Sequence, residues 1–599
     1  KKEKSMRKLL QKAGLFLLTV CLAFGCFTGC ADPDAELKAA AKYMLNAWMS
    51  YGPSGDDAIK SVVDEFNRTN TDGIYVTTTP LADPSGIGMN LAGSAPPDVV
   101  YTDDRYFKGY VDEDYLTDLG EYVEKSELVD LDDFWSSTVE RFKYDPDTGI
   151  TGGDSPMYAL PFNNDPTVIY YNKTVFKGQG INIVSIDESE LDRYNAANGT
   201  NYLPHGYYEY AADPSADASL VKTGEVYRVF NDRIPMNWQE LRQVSTIAMQ
   251  GEPDYGFLNE WWFSYGWSVG GDCLEWVEDP NGDGNTSDAQ YMFSLGEKTS
   301  NYLVTKAEKV NGHAYAAGDI LSYDDKHYVE KNKNSDTVAP LLAGDQPTLY
   351  PLPSIYQAFT EFCRLSQKTT QAVTIADSGL FGNGINGYGI SPPSGDATRV
   401  GKSRYFTSQK VAMLCMPVTS SHSISAAIGN RFEWDVCPLY QWREYNNDGT
   451  LKKLNGTPVV GKKAAHSTIN GYAIPAHSSQ KDAAWKFIEY MTSVDVQKKM
   501  TKSYTGVPVR KSAASSEAYA GWNDRFVPAN KAAILEACEY CTVGDWSYVE
   551  DGEWISPWST YLNDKVRNGD KTLDDFFADA CIGQTNRNLK KYTAKKFNG

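Results

Sequence analysis

From Met44 to Tyr101 the chain alternates short apolar runs with a helical pattern, and that alternation restricts the fold more than any other feature. Met44 to Met49 is strand-like, and Asp56 to Asn67 has helical spacing, with Ile59, Val62, Val63 and Phe66 on one face. Ile74 to Thr78 is β-branched and extended, and Pro97-Asp98-Val99-Val100-Tyr101 forms a short buried strand after a turn. Strands separated by helices pair in parallel and bury both faces, which predicts an α/β fold. At 599 residues, one core cannot organise the whole chain, and about two to four domains are expected. No repeat of fixed period and no low-complexity tract interrupts the pattern.

The first thirty residues read as a targeting segment. Lys1, Lys2, Lys4, Arg7, Lys8 and Lys12 make a positive region, and Ala13 to Gly25 form an apolar stretch too short to span a bilayer comfortably. Phe27-Thr28-Gly29-Cys30 then resembles the lipobox of bacterial lipoproteins, in which the cysteine is lipidated and becomes the new N-terminus. Cys26 is a second candidate, and an ordinary signal peptide the alternative. Each version places the mature protein outside the cytoplasm, with Cys30 as the membrane anchor in the lipoprotein version. A polar stretch to about Lys42 reads as a tether.

A formal net charge of −21 argues against nucleic acid or anionic lipid headgroups as partners, since no basic stripe exists to displace counterions. Aromatic residues reach 13%, with 14 Trp and 39 Tyr. Such a surplus fills a large core or lines a groove for a ligand with flat apolar faces and polar edges, as a sugar ring has. Seven cysteines follow Cys30, irregularly spaced, and make no disulfide framework. Cys538-Glu539-Tyr540-Cys541 lacks a second metal-ligand pair and reads as a buried helical turn or a local disulfide. Residues 183–230 and 279–350 are polar, show little period and read as insertions.

Six segments, each weak alone, follow one another in a telling order. They are Ala95-Pro96-Pro97-Asp98-Val99-Val100-Tyr101 with Asp104-Arg105 and Leu116-Thr117-Asp118-Leu119; Tyr158-Ala159-Leu160-Pro161 leading to Ile169-Tyr170-Tyr171-Asn172-Lys173; and Pro235-Met236-Asn237-Trp238-Gln239-Glu240-Leu241. Gly270-Gly271-Asp272, Phe406 with Lys410-Val411-Ala412-Met413, and Asn470-Gly471-Tyr472-Ala473-Ile474 through Ala483-Ala484-Trp485 to Gly506-Val507-Pro508-Val509 complete the set. In this order they resemble the extracellular solute-binding proteins that include maltose-binding protein. The resemblance implies an α/β, two-lobe, periplasmic-binding-protein-like (type II) fold with three hinge crossings, near Leu160 to Tyr170, His466 to Tyr472 and Gly506 to Arg510. One lobe then holds residues 31–162 and 470–506, and the other 163–469 and 507–599, including both insertions. It also implies a role as the binding component of an ABC importer that captures an oligosaccharide by lobe closure, with permease subunits as partners, no catalysis, and a monomeric state.

A sugar site needs aromatic faces for the rings and fixed polar groups for the hydroxyls. Trp261 and Trp262, in Trp261-Trp262-Phe263-Ser264-Tyr265-Gly266-Trp267, precede the Gly270-Gly271 pair where the family carries ring-stacking aromatics, although a run this apolar also suits a core. Trp558 resembles the C-terminal cleft aromatic of maltose-binding protein. Asp104 and Arg105 align with an Asp-Arg pair that faces sugar hydroxyls in that relative. Asn163, Asn164 and Asp165 sit at the first crossing, Tyr51 follows the first strand, and Ser420 lies where the relative has a Trp that this chain lacks. That departure puts a maltose-like ligand in doubt.

No cofactor is implied beyond a structural calcium ion. Asp279, Asn281, Asp283 and Asn285, with Gly284 at the bend, follow the alternate-oxygen spacing of an EF-hand loop. Gln290 stands at the twelfth position, where a bidentate Glu belongs. Two other readings stay open: the same fold carrying a peptide or other small solute, and a secreted glycoside hydrolase. The hydrolase needs two carboxylates opposed across a cleft, and no segment reads as the eight βα units of a barrel.

Overall fold

The computed structural model describes residues 34–590 apart from 50–55, 82–86, 94, 212–221, 224–225, 260–261, 323–324, 332–337, 367–386, 394–399, 504–505 and 543–552. The leader with Cys30, and the candidates Tyr51 and Trp261, lie outside the described residues. Where a polar tether is expected, Ala35–Ala40 form a short helix with no buried residue.

Fifteen elements position the site. In chain order they are β1 (Tyr43–Met49), α1 (Asp56–Thr69), β2 (Ile74–Pro80), β3 (Val99–Asp103), β4 (Ala159–Asn172), β5 (Tyr255–Leu258), β6 (Val411–Pro417), α2 (Ser421–Ile428), β7 (Trp434–Cys437), β8 (Ala465–Ala473), α3 (Lys481–Met491), β9 (Val507–Pro508), α4 (Lys531–Glu539), β10 (Cys541–Thr542) and α5 (Ile555–Tyr561). The first strands arise as the alternation predicts. The apolar face of α1, Ile59, Val62, Val63 and Phe66, is almost wholly buried, each such side chain contributing about 2 kcal/mol on removal from water.

The ten strands form one sheet in the order β2-β1-β3-β8-β4-β6-β5, with β7 and β9 also on β4 and β10 on β8. β1 runs parallel to β2 and β3, whereas β8 runs antiparallel to β3 and to β4. All 14 residues of β4 are buried. Its first half pairs with β8, from Ala159↔Ala473 to Pro166↔Ser467, and its second half pairs with β6 and β7. β9 joins the middle of β4 at Asn163 and Asn164. The three segments read as crossings are therefore strands of one sheet that meet at Asn163–Pro166. Two glycines permit the close approach: a Cβ at Gly471 would stand 2.8 Å from the Leu160 carbonyl, and Gly506 has φ +131° with a Cβ position 2.8 Å from the Asn164 carbonyl.

One buried cluster draws on residues between Leu45 and Phe162 and between Tyr472 and Val509. The largest cluster instead runs from Ile169 through Trp558 to Leu589. A third joins Trp135 to Val168, Tyr170, Val507, Ile534 and Cys538 across the crossings.

The insertions are more regular than their composition suggests. Ile181–Val184 pairs in parallel with Val226–Asn231, which also pairs with Tyr207–Ala211. In the second insertion Ser300–Val304 lies between Ile320–Leu321 and Leu349–Ser354, over a small core of Val304, Val310, Tyr315, Leu321, Tyr328 and Leu349. Such short strands carry too few residues to display a period. Cys538 lies in the last turn of α4 and Cys541 begins β10; both are buried free thiols.

Candidate functional site

β3 delivers Asp103, Asp104 and Arg105 to the edge of the crossing region, where Asp104 and Arg105, read as facing a ligand together, each take a different ion-pair partner. Successive residues leaving a strand turn to opposite sides. Asp103 Oδ2 accepts from the Arg105 guanidinium at 2.6 Å, and its Oδ1 from the Arg105 backbone N–H at 3.0 Å. Asp104 instead turns inward to Arg141, whose Nη1 donates to its Oδ2 at 2.7 Å, with both side chains buried. Burial pushes the Asp104 carboxyl up from its ordinary value, and Arg141 pulls it back. Lys108, also buried, is lowered to about 8 by desolvation. Arg105 keeps 48% of its side chain exposed and is the group of this set that solvent reaches.

The polar residues of the first crossing are held by the second. Asn163 Oδ1 accepts from the Asn470 backbone N–H (3.2 Å) and from its Nδ2 (3.1 Å). Asn164 is fully buried; its Oδ1 accepts from the Ser467 hydroxyl, and its Nδ2 has no hydrogen-bond partner. The Asp165 carboxylate accepts from the Thr419 backbone N–H at 2.9 Å and from the Thr419 hydroxyl at 2.6 Å. Desolvation pushes the Asp165 carboxyl up to about 6 in spite of these bonds. The contact ties the hinge strand to the turn that carries Ser420, a half-buried residue preceding α2. His466, on β8, is lowered to about 3 by burial and the nearby Arg141 and Arg105 charges.

The aromatic side divides differently from the expectation. Trp262 is half-buried and precedes the short helix Phe263–Trp267. Trp558, on α5, is wholly buried, its ring 4.6 Å from Trp262 in an edge-on contact and 4.8 Å from Phe293. It presents no face to a ligand in this conformation, because Trp262 and Phe293 cover it. The indole N–H groups of Trp554 and Trp558 are buried without a hydrogen-bond partner.

Arg141, Ser467 and Lys108 are absent from the sequence reading. Ser467 lies within the second crossing, so its position carried a signal. Arg141 sits in a three-residue helical turn, Glu140–Phe142, and no spacing links it to Asp104. The third motif has a local cause: Asn237 and Glu240 form a reciprocal capping box that starts the helix Trp238–Ala248.

The EF-hand-like loop joins the paired strands Leu274–Val277 and Gln290–Phe293. Asp279 Oδ1 and Oδ2 accept from the backbone N–H groups of Asp283 (3.1 Å) and Gly284 (2.8 Å). Asp283 and Asn285 likewise cap Asn285 and Ser287, and Asn281 donates to Asp288. Gln290 is drawn into its strand opposite Val277 and buried. The residues fit an Asx-turn loop better than a ligand shell. Among the described residues no three His, Cys, Asp or Glu side chains gather as metal ligands.

This fold, with polar groups fixed where three strands cross, defines a ligand-capturing protein built on a hinge. The chain belongs to the bacterial extracellular solute-binding protein family, whose model matches residues 61–527. A search of curated proteins by sequence finds no match. Among solved structures the chain is similar to an ABC substrate-binding protein from Listeria monocytogenes in complex with cycloalternan, at 15% identity, with 93% of this chain and 100% of that one covered and a TM-score of 0.52. It is similar to the cyclic α-maltosyl-1,6-maltose binding protein from Arthrobacter globiformis, at 13% identity, with 92% and 99% covered and a TM-score of 0.52. The sugar-binding protein MalE from Xanthomonas citri matches at 14% identity, with 92% and 96% covered and a TM-score of 0.51. The fold is thus that of the two-domain periplasmic binding proteins, and the protein binds a solute outside the cytoplasm.

Proposed function

We propose that this protein is the substrate-binding component of an ABC importer, tethered outside the cell membrane through a lipid on Cys30. It captures an oligosaccharide between two lobes as a monomer, hands it to permease subunits unaltered, and uses no cofactor. The lobes comprise residues 31–162 with 470–506 and residues 163–469 with 507–599. The two largest buried clusters lie on either side of the crossings, which supports this division, and a third spans the crossings between them.

The observation that carries the sugar reading is the agreement among the similar folds, which are named for cycloalternan, cyclic α-maltosyl-1,6-maltose and sugar as what they bind. The site's chemistry is consistent with it: Arg105, Asn163, Asp165 and Ser420 offer hydroxyl partners, and Trp262 offers a ring face. Asp104, Asn164 and Trp558 support these groups from behind, and Tyr51 and Trp261 complete the candidates.

A thermal-shift screen of the mature chain against mono- and oligosaccharides tests the proposal. Ligand that binds only the folded state stabilises by about 2.7 kcal/mol at a hundred times its dissociation constant. A shift with one glycan series and no cleaved product supports the reading. Silence across sugars with a shift for peptides sinks the ligand class, and cleaved sugar sinks the claim that the ligand is handed on unaltered.

A further inference from the structure

One buried guanidinium joins three parts of the chain that the hinge reading divides between its two lobes. Arg141 Nη1 donates to Asp104 Oδ2 (2.7 Å), beyond β3, and to the Ser467 carbonyl (2.6 Å), on crossing strand β8. Its Nη2 donates to the Thr542 carbonyl (2.7 Å), on β10. Two weaker ties run alongside it: the Trp135 indole N–H donates to the Pro508 carbonyl at 2.9 Å, and the Ser137 hydroxyl to the Cys538 carbonyl at 2.8 Å. The segment 135–141 thereby fastens to the C-terminal segment at the third crossing, at the end of α4 and at β10.

A planar fork with fixed donors suits three acceptors in different directions, whereas a lysine is a point charge on a flexible stem. The bonds are charge-assisted and lie out of water, where such bonds are strong. Removing the cation would also leave the Asp104 carboxylate buried without its partner.

We propose that Arg141 is a positioning residue: it clasps the C-terminal segment to the first lobe across the hinge, and so sets the resting angle of the lobes. The inference rests on the two-lobe reading above and concerns a group that does not itself touch the ligand.

The test uses the full chain without ligand. Hydrogen exchange and small-angle scattering are compared for the parent, Arg141→Gln, Arg141→Lys and Asp104→Asn. Arg141→Gln should exchange about tenfold faster at amides of 465–468 and 541–542, with β1 and β2 unchanged, and should give a larger radius of gyration. Arg141→Lys should fall between, and Asp104→Asn should move these amides less than Arg141→Gln, since both carbonyl bonds remain. Parental exchange at β8 and β10 in Arg141→Gln overturns the clasp. So does uniformly faster exchange throughout, which would mark a merely structural role. If Arg141→Gln does not fold, Ser137→Ala removes one tie alone and should speed exchange at 538–542; no change there overturns the clasp equally. Addition of maltotetraose or acarbose reports separately on the sugar reading. A parent that never contracts with any glycan, beside an Arg141→Gln protein that still loosens locally, sinks the ligand class and leaves the clasp standing.

Discussion

The polar and aromatic sides of the candidate site are built on opposite plans. Where the strands cross, Asn163 and Asp165 are held by donors from other segments, and Asp103 holds Arg105 within its own turn, so the polar groups have partners before any ligand arrives. On the aromatic side the rings pack against one another, and two indole N–H groups are buried with no acceptor. Hydrogen-bond geometry is directional, so satisfied polar groups fix a position. Apolar packing is not, so rings settle wherever they exclude water. On the proposed reading the polar side therefore sets which hydroxyl pattern fits, and the aromatic side supplies burial.

The largest effect separates the two tryptophans of that aromatic side. Trp558→Ala removes a wholly buried indole from the main core and should cost about 4 kcal/mol of stability, read by denaturant melts. A loss below about 1 kcal/mol would show that Trp558 is not a core residue and return it to the ligand-facing set.

Next in size is the pH dependence of the crossing. The Asp165 carboxyl, at about 6 in the folded chain, lies above its unfolded value. Between about pH 4 and 6 the folded state therefore holds the extra proton, and stability falls as pH rises through that window. The parent should lose about 2 kcal/mol from pH 4 to 6 relative to Asp165→Asn, which has no proton to release. Parallel stability curves for the two proteins would mean that the hinge carboxyl is not strained by its burial.

Trp262→Ala sharpens the comparison from the other side. Its ring is half-buried against Trp558, so truncation should cost clearly less stability than Trp558→Ala while weakening glycan affinity about tenfold. Titration calorimetry with the glycan found in the screen reads this directly. Unchanged affinity would remove Trp262 from the ligand surface and leave the polar side to carry binding.

What was legible in the sequence follows the same division. Period and turn chemistry announced β1, α1, β2 and β3, and family order marked the three crossings, because those signals are local or collinear. Asn163 to Asp165 were legible as a run on a crossing strand. The exchange of partners between Asp103, Asp104, Arg105 and Arg141 was not, since residues 104 and 141 are brought together only by tertiary packing. The burial of Trp558 is illegible for a related reason: a resemblance to a cleft aromatic does not tell whether a ligand or Phe293 covers the ring. The insertions hid their strands because alternation over two to six residues cannot be told from irregular polar chain.

The smallest effect concerns the loop at 279–290, where sequence spacing and structure differ most. A calcium loop needs oxygens free to turn toward the ion, and an extracellular site of modest charge binds at about 10⁻⁴ to 10⁻³ M. Such a site would raise the melting temperature by a few degrees at about 10 mM calcium. Here the Asp279 and Asp283 carboxylates already accept loop amides, and Gln290 is committed to its strand. A shift under about 1 °C is therefore expected, with EGTA as the control. A larger rise that EGTA reverses and Asp279→Ala abolishes would show that the loop reorganises around the ion, with the Asx turns giving way to coordination. In that case the alternate-oxygen spacing would have been the better guide, and the polar plan of pre-fixed groups would not extend to this hairpin.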